Sequence, residues 1–278
     1  QELVYALPSL PLNLIESLGS NWDRYLLEKY LNLRQLGYYN VGNRLSGYYN
    51  QVNSVLKVAW FPMVYKMFIQ RKDFNEILPK ISLFYFFILT IFALSASLIT
   101  KEVIYWFAKE KFIDAYQYVP LFVLIYLIKH FGTAWGTGID LVKKPYYKLL
   151  SSIPGWIIAI LLLYLWIPKY GTYGAIFALL TSSFFRVSIN VTIAHVAYPR
   201  KFLIVKLLIL IFLLSFFFIC GYRSNFDSSI TSFIFKGLLI ILYITIGSFA
   251  VFGYKQTLYR ITFFRNLLIK KYNLSSTQ

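Results

Sequence analysis

Apolar residues are grouped along this chain in stretches long enough to form membrane-spanning helices, which need about 20 mostly apolar residues each. Four stretches contain no charged residue: 81–100, 149–168, 207–222 and 237–254. Four further candidates are more polar or carry an internal charge: 3–27, 36–62, 115–139 and 170–194. The pattern predicts an all-α integral membrane protein with about eight transmembrane helices.

The second predicted span carries a polar stripe. Steps of three and four place one set of side chains on a single helix face: Asn43, Ser46, Asn50, Asn53 and Lys57. The adjacent row contains Arg44, Gly47, Gln51 and Ser54. Charged and amide side chains at bilayer depth face water or a partner, because hydrocarbon leaves them unpaired. We therefore expect this helix to line a polar pathway.

Other spans also contain polar and charged residues. The first span repeats them at helical spacing: Asn13, Glu16, Ser17, Ser20 and Arg24. Six cations fall inside predicted spans: Arg24, Arg44, Lys57, Lys129, Arg186 and Lys236. A charge at the bilayer centre costs about 2.5–3.5 kcal/mol on insertion scales. Since these cations outnumber the acids Glu16, Asp23 and Asp140, we expect a cationic cavity that suits an anionic substrate.

Several of these cations have simpler explanations. Lys57 and Lys236 lie near span ends, where a long side chain can reach the interface. Asp23 and Arg24 fit an exposed ion pair at the outer interface. These alternatives leave Arg44 and Arg186 as the cations that most favour a functional interpretation.

Lys129 has a structural alternative of its own. It lies deep in a span beside His130, and either side chain could pair with Glu16 or Asp140 as a clamp between helices. Glu16 is also a candidate proton or sodium site, for which a salt bridge to Lys129 is the competing interpretation.

Glycines indicate where helices approach or turn. Gly132, Gly136 and Gly138 in one span permit close helix packing. The segment YGTYGA at 170–175 predicts a tight turn that opens a helix.

Composition and charge place the chain in the membrane. Of its 278 residues, 58% are hydrophobic and 14% are charged, against roughly 25% charged in a soluble domain. The net charge of +17 comes from cations scattered between apolar runs, so nucleic acid is not an expected partner. Alternate loops divide these cations unequally, and the more basic side includes Lys148, Arg200, Lys201 and Lys206. The positive-inside rule places that side and both chain ends in the cytoplasm.

Motifs for metal, cofactor or catalytic chemistry are not apparent. His130 and His195 are far apart, Cys220 is the single cysteine, and no HExxH, Walker A, nucleophile-elbow or dinucleotide motif occurs. Glu110 and Asp114 form the one acidic pair near the outer surface that would suit acid–base chemistry. We expect no metal, no cofactor and no enzymatic activity.

The order and spacing of several short segments resemble a known superfamily. The first three are DRYLL at 23–27, LGYYNV at 36–41 and AWFPMVY at 59–65. Later segments are AY at 115–116 with Pro120, KKPY at 143–146 and IPKYGTYGAI at 167–176. Together they resemble the C-terminal half of the polysaccharide biosynthesis flippases, including the O-antigen (Wzx-like) exporters, of the MATE-related multidrug/oligosaccharidyl-lipid/polysaccharide (MOP) superfamily.

This resemblance implies both an architecture and an activity. Residues 1–254 would form one lobe, spans seven to fourteen, of a two-lobe transporter. Residues 255–278 form a basic cytoplasmic tail, in which single cations alternate with apolar residues. This alternation predicts an interfacial helix on the inner leaflet, and ordinary flanking charge is the alternative. The protein would lie in the bacterial inner membrane and move undecaprenyl-pyrophosphate-linked O-antigen, capsule or exopolysaccharide units by alternating access. Its partners would be that anionic carrier, membrane lipids, a first lobe in the same or a partner chain, and other polysaccharide-assembly proteins.

The polar residues in the spans, identified from their helical spacing, fit the activity that the resemblance implies. The cavity cations would be Arg24, Arg44, Lys57, Lys129 and Arg186, which would offset the pyrophosphate charge. The polar cavity face would comprise Asn13, Glu16, Asn43, Asn50, Gln51 and Asn53. Of these, Asn43, Asn50 and Gln51 would contact sugar hydroxyls.

Three alternative functions fit the sequence less well. A MATE-like exporter of small cations would need buried carboxylates, whereas cations dominate the predicted spans. A membrane enzyme of polysaccharide assembly, such as a polymerase or glycosyltransferase, would need a large periplasmic loop, and the predicted outer loops are short. A membrane scaffold would leave the two polar helix faces unexplained.

Overall fold

The computed structural model describes residues 22–142, 146–224 and 229–253, and these residues are almost entirely helical. No strand occurs within these ranges, so the prediction of an all-α protein is confirmed there. The helices in chain order are α1 (Trp22–Tyr30), α2 (Leu33–Gln70), α3 (Phe74–Ala108), α4 (Val119–Trp135), α5 (Thr137–Leu141), α6 (Tyr146–Ala197), α7 (Ile204–Arg223) and α8 (Ser229–Phe252). A 3₁₀ segment, Lys109–Gln117, joins α3 to α4.

Five helical segments of the described residues are long and apolar enough to cross a membrane: Phe74–Phe107, Phe112–Leu141, Tyr146–Ala197, Ile204–Arg223 and Ile230–Phe252. Six of the eight predicted spans, all except 3–27 and 36–62, overlap these segments. Helix α2, which covers the predicted span 36–62, has 38 residues but is less apolar. Most of the predicted span 3–27 lies outside the described residues, and the count of eight spans stays a prediction.

Helix α6 is a hairpin of two antiparallel arms, 146–170 and 172–197. The chain turns at Gly171, whose φ of 57° lies in the left-handed region that glycine adopts without a Cβ clash. A Cβ on Gly174 would lie 2.3 Å from the Trp166 carbonyl oxygen, and a Cβ on Gly155 would lie 2.8 Å from Cβ of Arg186. Both pairs are arranged nearly symmetrically about Gly171, as antiparallel arms require. The predicted turn at 170–175 is confirmed.

Replacing Gly174 by alanine is expected to destabilise this hairpin. The added Cβ meets backbone atoms of Trp166, which cannot rotate away, and overpacking of this kind costs about 1–3 kcal/mol. Gly47→Ala is the matched control, because a Cβ there meets nothing within 4 Å. Thermal unfolding in detergent should show a lower melting temperature for Gly174→Ala alone. Equal melting temperatures for the two variants would contradict the close contact between the arms.

The main apolar core joins α1, α2, α4 and both arms of α6. Its buried members include Leu27, Tyr39, Phe122, Leu163 and Ile176. The Tyr39 and Phe122 rings meet edge to face, with centroids 5.0 Å apart. The short helix α1 is therefore fixed against the hairpin by apolar burial, which positions the polar residues that follow on α2 and α4.

The chain divides between Phe202 and Leu203 into two compact units. In the second unit, the Phe217 and Tyr243 rings pack edge to face with centroids 5.8 Å apart. Lys206 Nζ donates a hydrogen bond to the Val251 carbonyl at 2.8 Å, and Lys236 is buried. The basic tail 255–278 lies outside the described residues, so the predicted domain division at 254 stays a prediction.

Candidate anion-binding cavity

A cavity of about 220 Å³ lies between α2, α4, α5 and α6 in the first unit. We call it the cationic cavity, because its lining contains four cations and one carboxylate: Lys57, Lys129, Lys148, Arg186 and Asp140. Hydroxyl and amide groups complete the polar part of the lining: Thr133, Ser151, Ser152 and Asn190. The excess of positive charge and hydrogen-bond donors suits an anion.

Close helix packing brings the cavity walls together. A Cβ on Gly136 would lie 2.2 Å from Asn190 Oδ1, and a Cβ on Gly132 would lie 3.2 Å from Val187 Cγ2. Helix α4 thus approaches the second arm of α6 at its glycines, as the sequence predicted. Because Arg186 and Asn190 are four residues apart on that arm, both face the same cavity.

Aromatic rings lie beside two of the cavity cations. The guanidinium carbon of Arg186 lies 5.9 Å from the centre of the Trp156 ring, and Lys129 Nζ lies 5.4 Å from the centre of the Tyr126 ring. At such distances the ring face attracts the cation and favours one orientation of a flexible side chain. The rings therefore help to orient these charges without neutralising them.

An ion pair between two described residues lies in the cavity. Lys148 Nζ donates to Asp140 Oδ1 at 2.5 Å, and both side chains are partly exposed. The Tyr65 hydroxyl donates to the Asp140 carbonyl oxygen at 2.6 Å, which ties α5 to α2. The predicted clamp of Asp140 with Lys129 or His130 is thus replaced by a pair with Lys148, a residue that the sequence placed in a cytoplasmic loop.

Arg200 makes a hydrogen bond at the short break between α4 and α5. Arg200 was expected in a cytoplasmic loop, but its side chain is buried and Nη2 donates to the Trp135 carbonyl oxygen, where α4 ends. A cation is favourable there, since the last carbonyl groups of a helix lack partners. Burial lowers the pKa of Arg200 to about 10, so the guanidinium stays charged at neutral pH.

Three of the five predicted cavity cations line this one cavity: Lys57, Lys129 and Arg186. Arg24 and Arg44 are exposed and lie outside its lining. Asn13 and Glu16 lie outside the described residues. Whether these side chains bind substrate stays a prediction.

The four predicted amides on α2 lie outside the lining of the cationic cavity. Asn43 Oδ1 accepts a hydrogen bond from the Tyr126 hydroxyl at 3.2 Å, and Asn53 Oδ1 accepts one from the Tyr85 hydroxyl at 2.6 Å. Asn50 is half-buried and Gln51 is exposed. The predicted amides of α2 thus differ in burial: Asn53 is buried, Asn43 and Asn50 are partly buried, and Gln51 is exposed.

Tyr85→Phe is expected to destabilise the protein by about 1–3 kcal/mol, the cost of leaving a buried acceptor unpaired. Asn53 is only 2% exposed, so water cannot replace the lost donor. Tyr48→Phe is the matched control on α2, because Tyr48 is 60% exposed. Unfolding in detergent would measure both variants. If Tyr85→Phe unfolds like Tyr48→Phe, the hydrogen bond to Asn53 contributes nothing.

The interpretation of Asp23 and Arg24 as an exposed pair is wrong for Asp23. Its carboxylate is buried and accepts a short hydrogen bond from the Tyr39 hydroxyl, whereas Arg24 is exposed. The two partners are sixteen positions apart in the sequence, which explains why helical spacing did not reveal this contact.

The polar residues near the start of α6 were not predicted to line a cavity. Lys148, Ser151 and Ser152 lie at helical spacing and all line the cavity. This helical spacing is present in the sequence, but the predicted span begins at residue 149, which separated the lysine from the serines. Among the described residues, no group of three or more His, Cys, Asp or Glu side chains could hold a metal ion.

No protein-family model, curated protein or solved structure matches this chain. The function of the cavity is therefore argued from its own residues.

Proposed function

We propose that this chain is part of a membrane flippase that moves lipid-linked oligosaccharide across the bacterial inner membrane by alternating access. The observation that carries the proposal is the convergence of Lys57, Lys129 and Arg186, from three different helices, on one cavity. Each was singled out as a cation inside an apolar span. Charges inside apolar spans are costly unless they face water or an anion, so the convergence of these three cations favours an anionic substrate.

The lining chemistry favours phosphate groups among anions. Lysine supplies a compact positive charge, and arginine presents a planar fork that can bind two phosphate oxygens at once. Hydroxyl groups on Thr133, Ser151 and Ser152 can add hydrogen bonds to the remaining oxygens. A diphosphate has enough oxygens to engage several of these groups together.

Cavity size supports recognition of the charged head rather than the glycan. The volume of the cationic cavity is about 220 Å³. Pockets for drug-sized ligands are larger, about 300–1,000 Å³. The cavity suits a diphosphate, and the sugars would lie beyond it. Such a site would accept carriers with different repeat units.

A comparison of cells that lack the complete gene with cells in which it is restored tests this proposal. Cells that lack the gene are expected to accumulate finished lipid-linked repeat units on the cytoplasmic face of the inner membrane, and restoring the gene should reverse the accumulation. The leaflet is measured by the access of a membrane-impermeant sugar-specific reagent to spheroplasts and to inverted vesicles. If the units reach the periplasmic face but stay unpolymerised, the proposal fails and a polymerase is favoured.

A further inference from the structure

A second, smaller cavity adjoins the cationic cavity. Its volume is about 30 Å³, and it is lined by Lys129, Arg186, Trp156, Ser182, Ser183 and small or apolar neighbours. Lys129 and Arg186 line both cavities, whereas Lys57 and Lys148 line only the larger one. The two cavities thus share this pair of cations.

Hydrogen-bond donors dominate the small cavity. Lysine, arginine and the indole N–H can only donate, and Trp156 Nε1 is buried without a hydrogen-bond partner. The Ser182 hydroxyl already donates to the Leu179 carbonyl oxygen at 3.0 Å. No carboxylate is among the lining residues. A buried indole N–H beside two cations requires an acceptor, and an anion supplies one.

The size of the small cavity favours an anion of a single atom. A volume of about 30 Å³ has room for roughly one or two water molecules, so a monatomic ion fits it better than phosphate, sulfate or a carboxylate. We propose that the small cavity binds one halide ion, chloride in the cell, held by Lys129, Arg186 and the Trp156 indole N–H. A water molecule is the competing occupant. Water could donate to the Ser182 and Ser183 hydroxyl oxygens, but it has no negative charge to attract Lys129 and Arg186, whereas chloride has.

The shared cations couple the two cavities. An anion in the cationic cavity lowers the positive potential that Lys129 and Arg186 present to the small cavity, and chloride does the same in return. Chloride and a polyanion therefore weaken each other's binding. The halide would stabilise the two cations while the larger cavity holds only water, and it would leave more readily once a polyanion enters. The halide site itself does not depend on the proposed flippase activity.

Equilibrium binding of radioactive chloride to the purified full-length protein in lipid nanodiscs tests the site, with gluconate as the replacement anion. Wild-type protein is expected to bind one chloride per chain, saturably, at millimolar concentrations. Trp156→Phe keeps an aromatic ring beneath Arg186 but removes the N–H, and should weaken chloride binding about tenfold. Trp166→Phe is the matched control, because it removes an indole N–H outside this lining.

Two outcomes overturn the proposal. The absence of saturable chloride binding to the wild-type protein would assign the small cavity to water. Equal chloride affinity of Trp156→Phe and Trp166→Phe, with unchanged melting temperatures, would place any chloride elsewhere. Neither outcome bears on the flippase proposal, which the leaflet assay tests separately.

Competition with inorganic pyrophosphate tests the coupling. Pyrophosphate should weaken chloride binding to the wild-type protein. In a Lys57→Gln, Lys148→Gln variant, chloride should still bind while pyrophosphate loses most of its effect, because these lysines line only the larger cavity. Unchanged competition in this variant would show that pyrophosphate acts outside the cationic cavity, and the coupling would be rejected.

Discussion

A Lys129→Gln, Arg186→Gln variant of the full-length protein is expected to lose transport of lipid-linked oligosaccharide and to bind inorganic pyrophosphate at least about 30-fold more weakly. Truncating a buried charge that contacts an oppositely charged ligand costs about 2–5 kcal/mol, and about 1.4 kcal/mol corresponds to a factor of ten. Both side chains line the cationic cavity. The leaflet assay measures transport, and calorimetry with the purified protein measures pyrophosphate binding.

The control for this variant removes the same amount of charge elsewhere. Lys72 and Lys80 are exposed and lie outside the cavity lining, so Lys72→Gln, Lys80→Gln changes the net charge equally without altering the cavity. This control variant should transport lipid-linked oligosaccharide and bind inorganic pyrophosphate as the wild-type protein does. If the cavity variant is inserted at normal levels, melts normally and still supports transport, the cavity is not the substrate site.

Much of the helical architecture could be predicted from the sequence, because a span needs only local apolar length. The predicted spans 149–168 and 170–194 correspond to the two arms of α6, and the turn between them was visible as YGTYGA. The division of the chain after Phe202 was not visible, since α7 and α8 look locally like the other apolar helices. Which helices pack together depends on contacts between residues distant in sequence, and helical periodicity does not specify these contacts.

Residues of the site could be predicted only where a charged side chain interrupts an apolar span. Lys57, Lys129 and Arg186 were identified because a charge in an apolar span is costly wherever the span lies. Asn190 and Ser151 carry no such cost, so only the packing of α4 against α6 reveals their role in the lining. Asn53 was assigned to the polar face by spacing alone. Its partner Tyr85 comes from another helix, which spacing cannot identify.

Asp140→Asn is expected to tighten the binding of inorganic pyrophosphate about tenfold, the effect of about 1.4 kcal/mol. The substitution keeps the shape of the side chain but removes the one carboxylate of the lining, so the Lys148 ammonium no longer has its anionic partner. Because Lys148 is one-third exposed, the ion pair itself contributes less than about 1 kcal/mol to stability, and the variant should fold. Tighter binding should slow transport, since a carrier must also release its substrate.

Lys148→Gln is the opposite test of the same pair. It removes a cation from the lining and leaves Asp140 charged, so pyrophosphate binding should weaken while Asp140→Asn strengthens it. Calorimetry gives the two affinities under identical conditions, and rising salt should bring them together, because screening weakens each charge. A shift of both variants in the same direction would mean that the ion pair acts through the position of α5 rather than through its charge. The carboxylate would then be a structural link between α5 and α6, and the electrostatic account of substrate release would fail.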